Sequence, residues 1–321
     1  MAVEIKRAVI TGATGMIGVA LAEYLLEQGI LVTALVRKNS KKAERLPLHK
    51  GLQKVELDLS ELSCEEALIS SGLLDQKQDV FFHLGWDGTF GDCRNNMDLQ
   101  NNNIRYTLDA VRLAKRLDCQ VFVGAGSQAE YGRTTEKLTA RTPTFPENGY
   151  GIAKLAAGQM SRIFCQSLGI RHEWVRILSI YGAFDLERTM IMSAIRRLAA
   201  KEIAEFSKAE QLWDYLYVKD AAKALYLVAA YGRDGAVYPI GSGSARQLKE
   251  YIFTIWDKME REGQISLGAI PYAENQVMYL CADLSELTRD TGFVPEYTFE
   301  EGIEETIQWY RKGTGFIHEK D

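Results

Sequence analysis

The stretch that decides the fold of this chain is Thr11-Gly12-Ala13-Thr14-Gly15-Met16-Ile17-Gly18. An apolar run, Ala8-Val9-Ile10, precedes it and predicts a strand, and residues 16–28 follow it with a helical pattern. Glycines allow a tight turn and let a ligand approach the backbone. The free N–H groups and the dipole at the start of the helix then favour an anion.

Strand, glycine loop and helix in this order are typical of dinucleotide binding. The glycine spacing is Gly-x-x-Gly-x-x-Gly, not the commoner Gly-x-Gly-x-x-Gly, so a glycine-rich turn without a ligand is the alternative. We predict a dinucleotide site, with the loop contributing Gly12, Thr14, Gly15, Met16, Ile17 and Gly18.

Composition excludes several classes of protein. The chain has 321 residues and a net charge of −5, which gives no electrostatic footprint for nucleic acid or an anionic membrane. The N-terminus lacks the apolar core of a signal peptide and no run approaches membrane-spanning length, so we expect a cytoplasmic protein. Five cysteines are scattered without paired spacing, and we therefore expect neither a disulfide framework nor a metal.

Short β-rich runs alternate with helical runs along most of the chain, which predicts an α/β fold with a doubly wound parallel Rossmann sheet. The predicted strands after the first are residues 31–36, 54–59, 80–85, 120–124 and 171–177, and the long helices are 99–117 and 150–168. The alternation breaks after residue 181. We therefore assign residues 1–181 and 214–240 to the dinucleotide-binding domain. A smaller, discontinuous substrate lobe then comprises residues 182–213 and 241–321.

Residues at the predicted strand ends indicate the cofactor. Arg37 stands where an acid would bind the adenosine ribose of NAD, and a guanidinium there suits the 2′-phosphate of NADP. A solvated basic turn is the alternative. Asp58 lies at the end of the third strand, where ligands sit, but a helix N-cap is also consistent with it. His83 is expected to be a core histidine.

Tyr150 and Lys154 lie four residues apart on a predicted helix and so share one face. An ammonium near a phenol favours the phenolate, which predicts a lowered pKa for Tyr150 and a role in proton transfer. Ser127 follows the fifth strand and can donate a hydrogen bond to the same substrate oxygen. The three residues predict a catalytic group.

The chain resembles the extended short-chain dehydrogenase/reductase family, which includes nucleotide-sugar epimerases, dehydratases and ketoreductases. The resemblance spans nearly the whole chain and rests on the glycine loop and on these pieces: Asp58-Leu59, His83-Leu84-Gly85, Asn103 with Thr107, Ser127 with Tyr131-Gly132, Tyr150-x-x-x-Lys154, Arg176 with Tyr181-Gly182, residues 214–222, residues 238–243, Asp283 and Trp309-Tyr310.

The resemblance implies a role for several residues. Tyr150 would be the acid/base, Lys154 would hold the nicotinamide ribose, Ser127 would polarise the carbonyl, and Asn103 would support a proton relay. Asp58 would contact the adenine, and Leu59, Leu84 and Gly85 would join it in binding the cofactor. The expected substrate-binding residues are Trp86, Gln128, Arg176, Tyr181, Trp213 and Arg246. The resemblance also implies a homodimer that pairs residues 99–117 and 150–168.

Departures from the family pattern bear on the reaction. Dehydratases of the family carry Thr-Asp-Glu where this chain has Ser127-Gln128-Ala129, and neither glutamine nor alanine can be the second acid/base. Glu130 is one position later and is expected on the other side of the backbone. An NADPH-dependent reductase of a nucleotide-linked 4-keto-(deoxy)sugar and an NAD-dependent 4-epimerase remain, and Arg37 favours the reductase.

The substrate's diphosphate is a second question. Trp213 and the pair Ala273-Glu274 stand near where family members often carry arginines that bind it, which leaves the diphosphate without its usual bidentate partners. A small-ketone reductase and a non-catalytic NADP-sensing protein are further alternatives. The residues that follow the terminal helix, 312–321, are expected to form a frayed tail.

Overall fold

The computed structural model describes residues 2–313, which form thirteen strands and nine α-helices. The strands are β1 (Arg7–Thr11), β2 (Leu31–Val36), β3 (Leu52–Glu56), β4 (Val80–His83), β5 (Val121–Ser127), β6 (Arg171–Ile177), β7 (Ser179–Tyr181), β8 (Ile203–Phe206), β9 (Leu212–Trp213), β10 (Tyr215–Tyr217), β11 (Ala236–Ile240), β12 (Arg246–Gln247) and β13 (Gln264–Leu267). The helices are α1 (Met16–Glu27), α2 (Glu65–Ser70), α3 (Met97–Arg116), α4 (Gly149–Leu168), α5 (Met190–Ala199), α6 (Val218–Tyr231), α7 (Leu248–Lys258), α8 (Ser285–Thr291) and α9 (Phe299–Arg311).

Seven strands form a parallel central sheet in the order β3-β2-β1-β4-β5-β6-β11. The strand order reverses between β1 and β4, where Thr11 pairs with His83. A crevice forms at such a reversal, outside the carboxyl ends of the strands, and ligands bind there. The predicted α/β fold with a doubly wound parallel sheet is confirmed.

Alternation along the strands fills two cores, one on each face of the sheet. Ala8 and Ile10 face the core built with α1 and α6, whereas Val9 faces the core built with α3 and the C-terminal end of α4. All three side chains are fully buried. Burial on both faces explains why the central strands read as continuous apolar runs rather than as alternating ones.

Outside the central sheet, short strands pair locally. β10 pairs in parallel with β7, β13 in parallel with β8, and β12 antiparallel with β9. β10 therefore lies outside the central sheet, and β11 supplies the seventh strand of that sheet beside β6. The division into a dinucleotide-binding domain and a substrate lobe remains a prediction.

The bounds of most elements agree with the sequence pattern within a few residues. The third strand was predicted at residues 54–59, whereas β3 is Leu52–Glu56, so Asp58 lies beyond the end of the strand. β5 extends through Ser127, so this residue ends the strand rather than following it. The Thr298 and Glu301 capping box at the start of α9 is present.

The expected frayed tail falls mostly on residues 314–321, which lie outside the described residues. Within residues 2–313, no helix is both long and apolar enough to cross a bilayer.

Candidate active site

The glycine loop between β1 and α1 needs its glycines for different reasons. Gly12 has φ of +68°, and a Cβ there would lie 2.7 Å from the backbone nitrogen of Gly85. A Cβ on Gly18 would overlap the Gly12 carbonyl oxygen, so this glycine lets α1 pack against the loop. A Cβ on Gly15 would meet only that same oxygen, at 3.4 Å. The space in front of Gly15 is therefore open to a ligand.

The loop borders a cavity of about 370 Å³ at the carboxyl ends of β1, β2 and β4. It is lined by Thr11, Gly12, Thr14, Gly15, Met16, Ile17, Gly18, Leu35, Arg37, Lys42, Arg45, Leu57, Leu59, Leu84, Gly85, Trp86, Asp87, Thr89, Phe90, Ala125, Ile177, Phe184, Asp185 and Leu186. All of the residues expected to bind the cofactor line it except Asp58 and Lys154.

Asp58 begins the 3-10 turn Leu59–Glu61, and its backbone N–H donates to the Glu61 carboxylate at 3.1 Å. The N-cap interpretation is therefore correct for the backbone. Its side-chain Oδ1 is nevertheless buried without a hydrogen-bond partner among the described residues. A buried acceptor with no donor is costly. This oxygen beside the lining residues Leu57 and Leu59 fits the expected contact with an amino group of the adenine.

Three cations surround the end of the cavity near β2. Arg37 follows β2 and is 77% exposed, with its Nη2 3.7 Å from Asp87 Oδ1. Lys42 and Arg45 come from the 3-10 turn Lys41–Arg45, and an Arg45 Nη1 donates to the Thr14 carbonyl oxygen at 3.5 Å. The arrangement concentrates positive charge where the cavity meets solvent.

Several lining residues were missed by sequence reasoning. Arg45 stands in the basic turn after β2 that also carries Lys42, a residue already apparent in the sequence beside Arg37, so the spacing of Arg45 was a usable signal. Phe184 and Asp185 also line the cavity, although they are distant from the glycine loop in sequence, and Phe184 has φ of +65°. No local pattern marks them, because only tertiary packing brings that segment over the glycine loop. Burial raises the pKa of Asp185 to about 6.

Tyr150, Lys154 and Ser127 are brought together, as predicted. Asn148 caps α4 by accepting a hydrogen bond from the Gly151 N–H at 2.9 Å, which places Tyr150 in the first turn. Ser127 lies near enough to Tyr150 for its hydroxyl to lower the pKa of the phenol. The Lys154 Nζ is buried, donates to the Ala125 carbonyl oxygen at 2.6 Å, and lies 5.8 Å from the Tyr150 ring centroid.

The expected lowering of the Tyr150 pKa is wrong in direction. Burial is the largest effect and raises the pKa of Tyr150, whereas the Ser127 hydroxyl and the charge of Arg94 oppose it. Burial also lowers the pKa of Lys154 to about 7. Its ammonium faces Ala125 and the Trp86 ring, whose centroid is 3.8 Å away. The sequence argument considered only that Tyr150 and Lys154 share one helix face, and it left out the cost of removing both groups from water.

Asn103 and His83 have well-defined partners. The Asn103 amide accepts from the Asp87 N–H at 2.9 Å and donates to the Asp87 carbonyl oxygen at 2.8 Å, so it holds the loop after β4. No contact connects it with Tyr150 among the residues that the structure describes, and its relay role stays a prediction. His83 lies between Thr11 and Thr107 at 2.9 and 3.1 Å, as expected of a core histidine. Burial lowers its pKa to about 3.

Glu130 lies on the far side of the backbone from the cavity, as the sequence indicated. Its Oε1 accepts from the Ser127 N–H at 2.8 Å and from Trp174 Nε1 at 3.0 Å, and its Oε2 lies 2.7 Å from Arg176 Nε. Glu130 and Arg176 are both buried. The structure thus gives Arg176 an internal partner and does not bring it to the cofactor cavity, and its substrate role is still only a prediction.

The other expected substrate-binding residues are spread around the site. Gln128 is half-buried, and its Oε1 has no hydrogen-bond partner among the described residues. Tyr181 is buried and donates to the Phe299 carbonyl oxygen at 3.2 Å. Trp213 donates to Ser179 Oγ at 2.8 Å, and Arg246 pairs with Glu300 at 2.6 Å. Of the six, only Trp86 lines the cavity, and the substrate roles of all six remain predictions.

Strand order, glycine loop and crevice define an α/β protein of the dinucleotide-binding class. The chain belongs to the NAD dependent epimerase/dehydratase family, whose profile matches residues 8–241. The resemblance to the extended short-chain dehydrogenase/reductase group is thereby confirmed.

Similar proteins carry different activities. The chain is 24% identical over 260 residues to a dTDP-glucose 4,6-dehydratase of Escherichia coli, covering 77% of this chain and 63% of that protein. The chain thus spans less than two thirds of this relative's length. In fold it is similar to UDP-N-acetylglucosamine 4-epimerase from Methanobrevibacter ruminantium M1 in complex with UDP-N-acetylmuramic acid, with a TM-score of 0.86, 24% identity, and coverage of 97% of this chain and 100% of that one. RMD from Pseudomonas aeruginosa complexed with NADPH gives a TM-score of 0.79 at 21% identity, covering 96% and 99%.

Proposed function

We propose that the protein is an NADPH-dependent reductase of a nucleotide-linked 4-keto-(deoxy)sugar. The observation that carries the proposal is the position of Arg37, Lys42 and Arg45 around one end of the glycine-loop cavity. A 2′-phosphate on the adenosine ribose is the feature that separates NADP from NAD, and arginine binds phosphate in a bidentate manner. Three cations at that end favour NADP.

The chain's own groups fit a dinucleotide. The open space at Gly15 admits a phosphate to the start of α1, and the unpartnered Asp58 Oδ1 fits the adenine amino group. Leu84, Gly85 and Trp86 line the part of the cavity that leads to Lys154. The reduced nicotinamide, when bound, supplies the hydride.

The proton comes from this chain. An ordinary phenol is protonated at neutral pH and burial raises the pKa of Tyr150 further, which suits a general acid in the direction of reduction. Ser127 lies beside that phenol and can donate to the same substrate oxygen. Because burial lowers its pKa to about 7, Lys154 is only partly protonated at neutral pH, and its protonated form contributes positive charge while the Ala125 carbonyl holds it. Together the three residues stabilise a developing alkoxide.

Dehydration is disfavoured by the groups beside this site, although curated relatives include dehydratases. The residues after Ser127 are Gln128 and Ala129, and the next acid, Glu130, has both carboxylate oxygens engaged inside the protein. The segment that follows Ser127 therefore offers no second acid/base where water could be eliminated from the sugar. The neutral Gln128 amide can bind a sugar hydroxyl instead.

A nucleotide-linked sugar is proposed from the family and from the segments 182–213 and 241–311, which extend beyond the central sheet. Arg246 and Trp213 are paired residues of β12 and β9 and are the proposed contacts for the nucleotide. Arg246 already pairs with Glu300, so a diphosphate would have to share it. We also propose a homodimer through α3 and α4, because Ile152, Met160 and Ile163 are about half exposed along α4.

The test is direct. Purified protein is mixed with NADPH and, separately, with several nucleotide 4-keto-6-deoxyhexoses while the nicotinamide absorbance is followed, and the sugar product is identified by NMR. We expect oxidation of NADPH in step with formation of the 4-hydroxyl sugar. Tightly held NAD together with interconversion of 4-epimers would instead identify the epimerase. Oxidation with small ketones alone would identify the small-ketone reductase, and NADP binding without turnover the sensing protein.

A further inference from the structure

A second cation reaches Tyr150 from the loop after β4. Arg94 lies on the 3-10 turn Gly91–Asn95, and its guanidinium carbon is 4.8 Å from the Tyr150 ring centroid. Lys154 is farther from that ring, at 5.8 Å. Of these two cations, the one nearer to the Tyr150 ring is therefore Arg94, a residue that no sequence motif singles out.

The turn that carries Arg94 is held at both ends. Asn95 Oδ1 accepts from the Gly149 N–H at 3.0 Å, which ties the turn to the start of α4. Gln100 donates to the carbonyl oxygens of Cys93 and Gly88 at 2.9 and 2.8 Å, and accepts from Trp86 Nε1 at 2.9 Å. Arg94 is thus fixed to the same helix turn as Tyr150.

Arg94 is not used for anything else within residues 2–313. It forms no ion pair there, and its Nε is buried without a hydrogen-bond acceptor. Arg176, by contrast, has a counter-charge in Glu130, whose Oε2 lies 2.7 Å from the Arg176 Nε. Arg94 is half-buried, and a guanidinium without a counter-ion that lies over an aromatic face acts chiefly on that ring.

We propose that Arg94 is a positioning residue for proton transfer, whose charge stabilises the ionised form of Tyr150 and makes its proton available. The inference rests on the proposed function, in which Tyr150 gives that proton. Ser127, Lys154 and Arg94 lie near Tyr150, and the charge of Glu130 acts on it from the far side of the backbone. Among them, Arg94 and the Ser127 hydroxyl lower the pKa of Tyr150, whereas the Glu130 charge and, above all, burial raise it.

The test reads the ionisation of Tyr150 itself and needs no substrate. Protein labelled with 13C at tyrosine Cζ is titrated by NMR, and Tyr150→Phe assigns the resonance. Two variants, Arg94→Met and Arg94→Gln, remove the charge, and Arg94→Lys keeps it. Far-ultraviolet circular dichroism at each pH confirms that each variant remains folded.

We expect both neutral variants to hold about tenfold less phenolate at a given pH than the wild type, the lower bound for losing an opposite charge at this range. Arg94→Lys should stay close to the wild type. Superimposable titrations of the wild type and the neutral variants would overturn the proposal, and so would an equal displacement in Arg94→Lys.

The kinetic readout separates this proposal from the reductase assignment. If the protein reduces a 4-keto sugar, the high-pH limb of kcat/KM should move to higher pH in the neutral variants and recover in Arg94→Lys. If no 4-keto sugar is reduced, the proposed function fails, while the NMR titration still reports whether Arg94 acts on Tyr150.

Discussion

The buried pair of Glu130 and Arg176 gives a prediction that separates a structural carboxylate from a catalytic one. Glu130→Gln keeps one acceptor oxygen for the Ser127 and Trp174 N–H groups, and it removes the charge and the acceptor that face Arg176. Arg176 is 3% exposed and would then be a buried cation without a counter-charge. Breaking one partner of a buried pair costs about 3–5 kcal/mol of unfolding free energy, a large part of a total of roughly 5–15 kcal/mol.

The assay is urea unfolding followed by tryptophan fluorescence and circular dichroism. With an m-value of about 3 kcal/mol/M, the transition midpoint should fall by roughly 1 M or more. Replacing the pair together, as Glu130→Gln with Arg176→Met, should recover much of the loss, since the isolated charge is removed. Glu65→Gln is the matched control, because its pair with Arg116 is exposed and its loss should change the midpoint little.

A Glu130→Gln protein as stable as the wild type would refute this account of the pair. If in addition that variant kept its fold and cofactor affinity but lost turnover, Glu130 would be a reacting group, and the argument against dehydration would fail. The stability measurement and the kinetic measurement thus test different steps of the reasoning.

Three further predictions concern the cofactor, the buried lysine and the proposed dimer. Arg37→Ser should weaken NADPH binding about tenfold in a fluorescence titration, as expected for one largely exposed charge-assisted contact, and should leave NADH binding unchanged. Lys38→Ser is the control. Equal losses of affinity for both cofactors would contradict the phosphate contact. Burial lowers the pKa of Lys154 to about 7, against about 10.4 in the unfolded chain, so between these two pH values the unfolded chain binds more protons and this lysine should make stability rise with pH. In unfolding curves measured across that pH range, Lys154→Met should lose the rise. An unchanged pH dependence in the variant would contradict this role of Lys154. Ile163→Glu should shift the protein to monomer in light scattering. Ile69→Glu is the control, because Ile69 is exposed on α2, and it should leave the dimer intact. A dimer that survives Ile163→Glu would argue against the α4 interface.

The fold was predictable where long apolar runs and glycines define elements. β6 matches its predicted bounds, and α1 and α4 begin and end within a residue of the pattern. The short strands β7 to β10, β12 and β13 were not predictable as pairs, because two to four residues carry no periodicity and their partners are distant in sequence. β10 is an example, because its three residues do not indicate whether it pairs with β7 or with a strand of the central sheet.

The candidate site was predictable where a motif places a residue at a strand end or on a helix face. Tyr150, Lys154 and Ser127 lie together for that reason. The direction of the Tyr150 pKa was not predictable, because it depends on desolvation in the folded protein, which outweighs the opposing charge of Arg94. Arg176 and Tyr181 belong to matching sequence pieces, yet the structure gives both internal partners, which spacing alone does not reveal.

The central claim is that Tyr150 supplies the proton for an NADPH-dependent reduction. Its most direct test is the turnover of Tyr150→Phe with NADPH and a nucleotide 4-keto-6-deoxyhexose, measured beside the NADPH dissociation constant and compared with the wild type under the same conditions. We expect kcat to fall by about 10²–10⁴-fold, as for loss of a general acid, with NADPH affinity unchanged. Full turnover by the variant would contradict the claim.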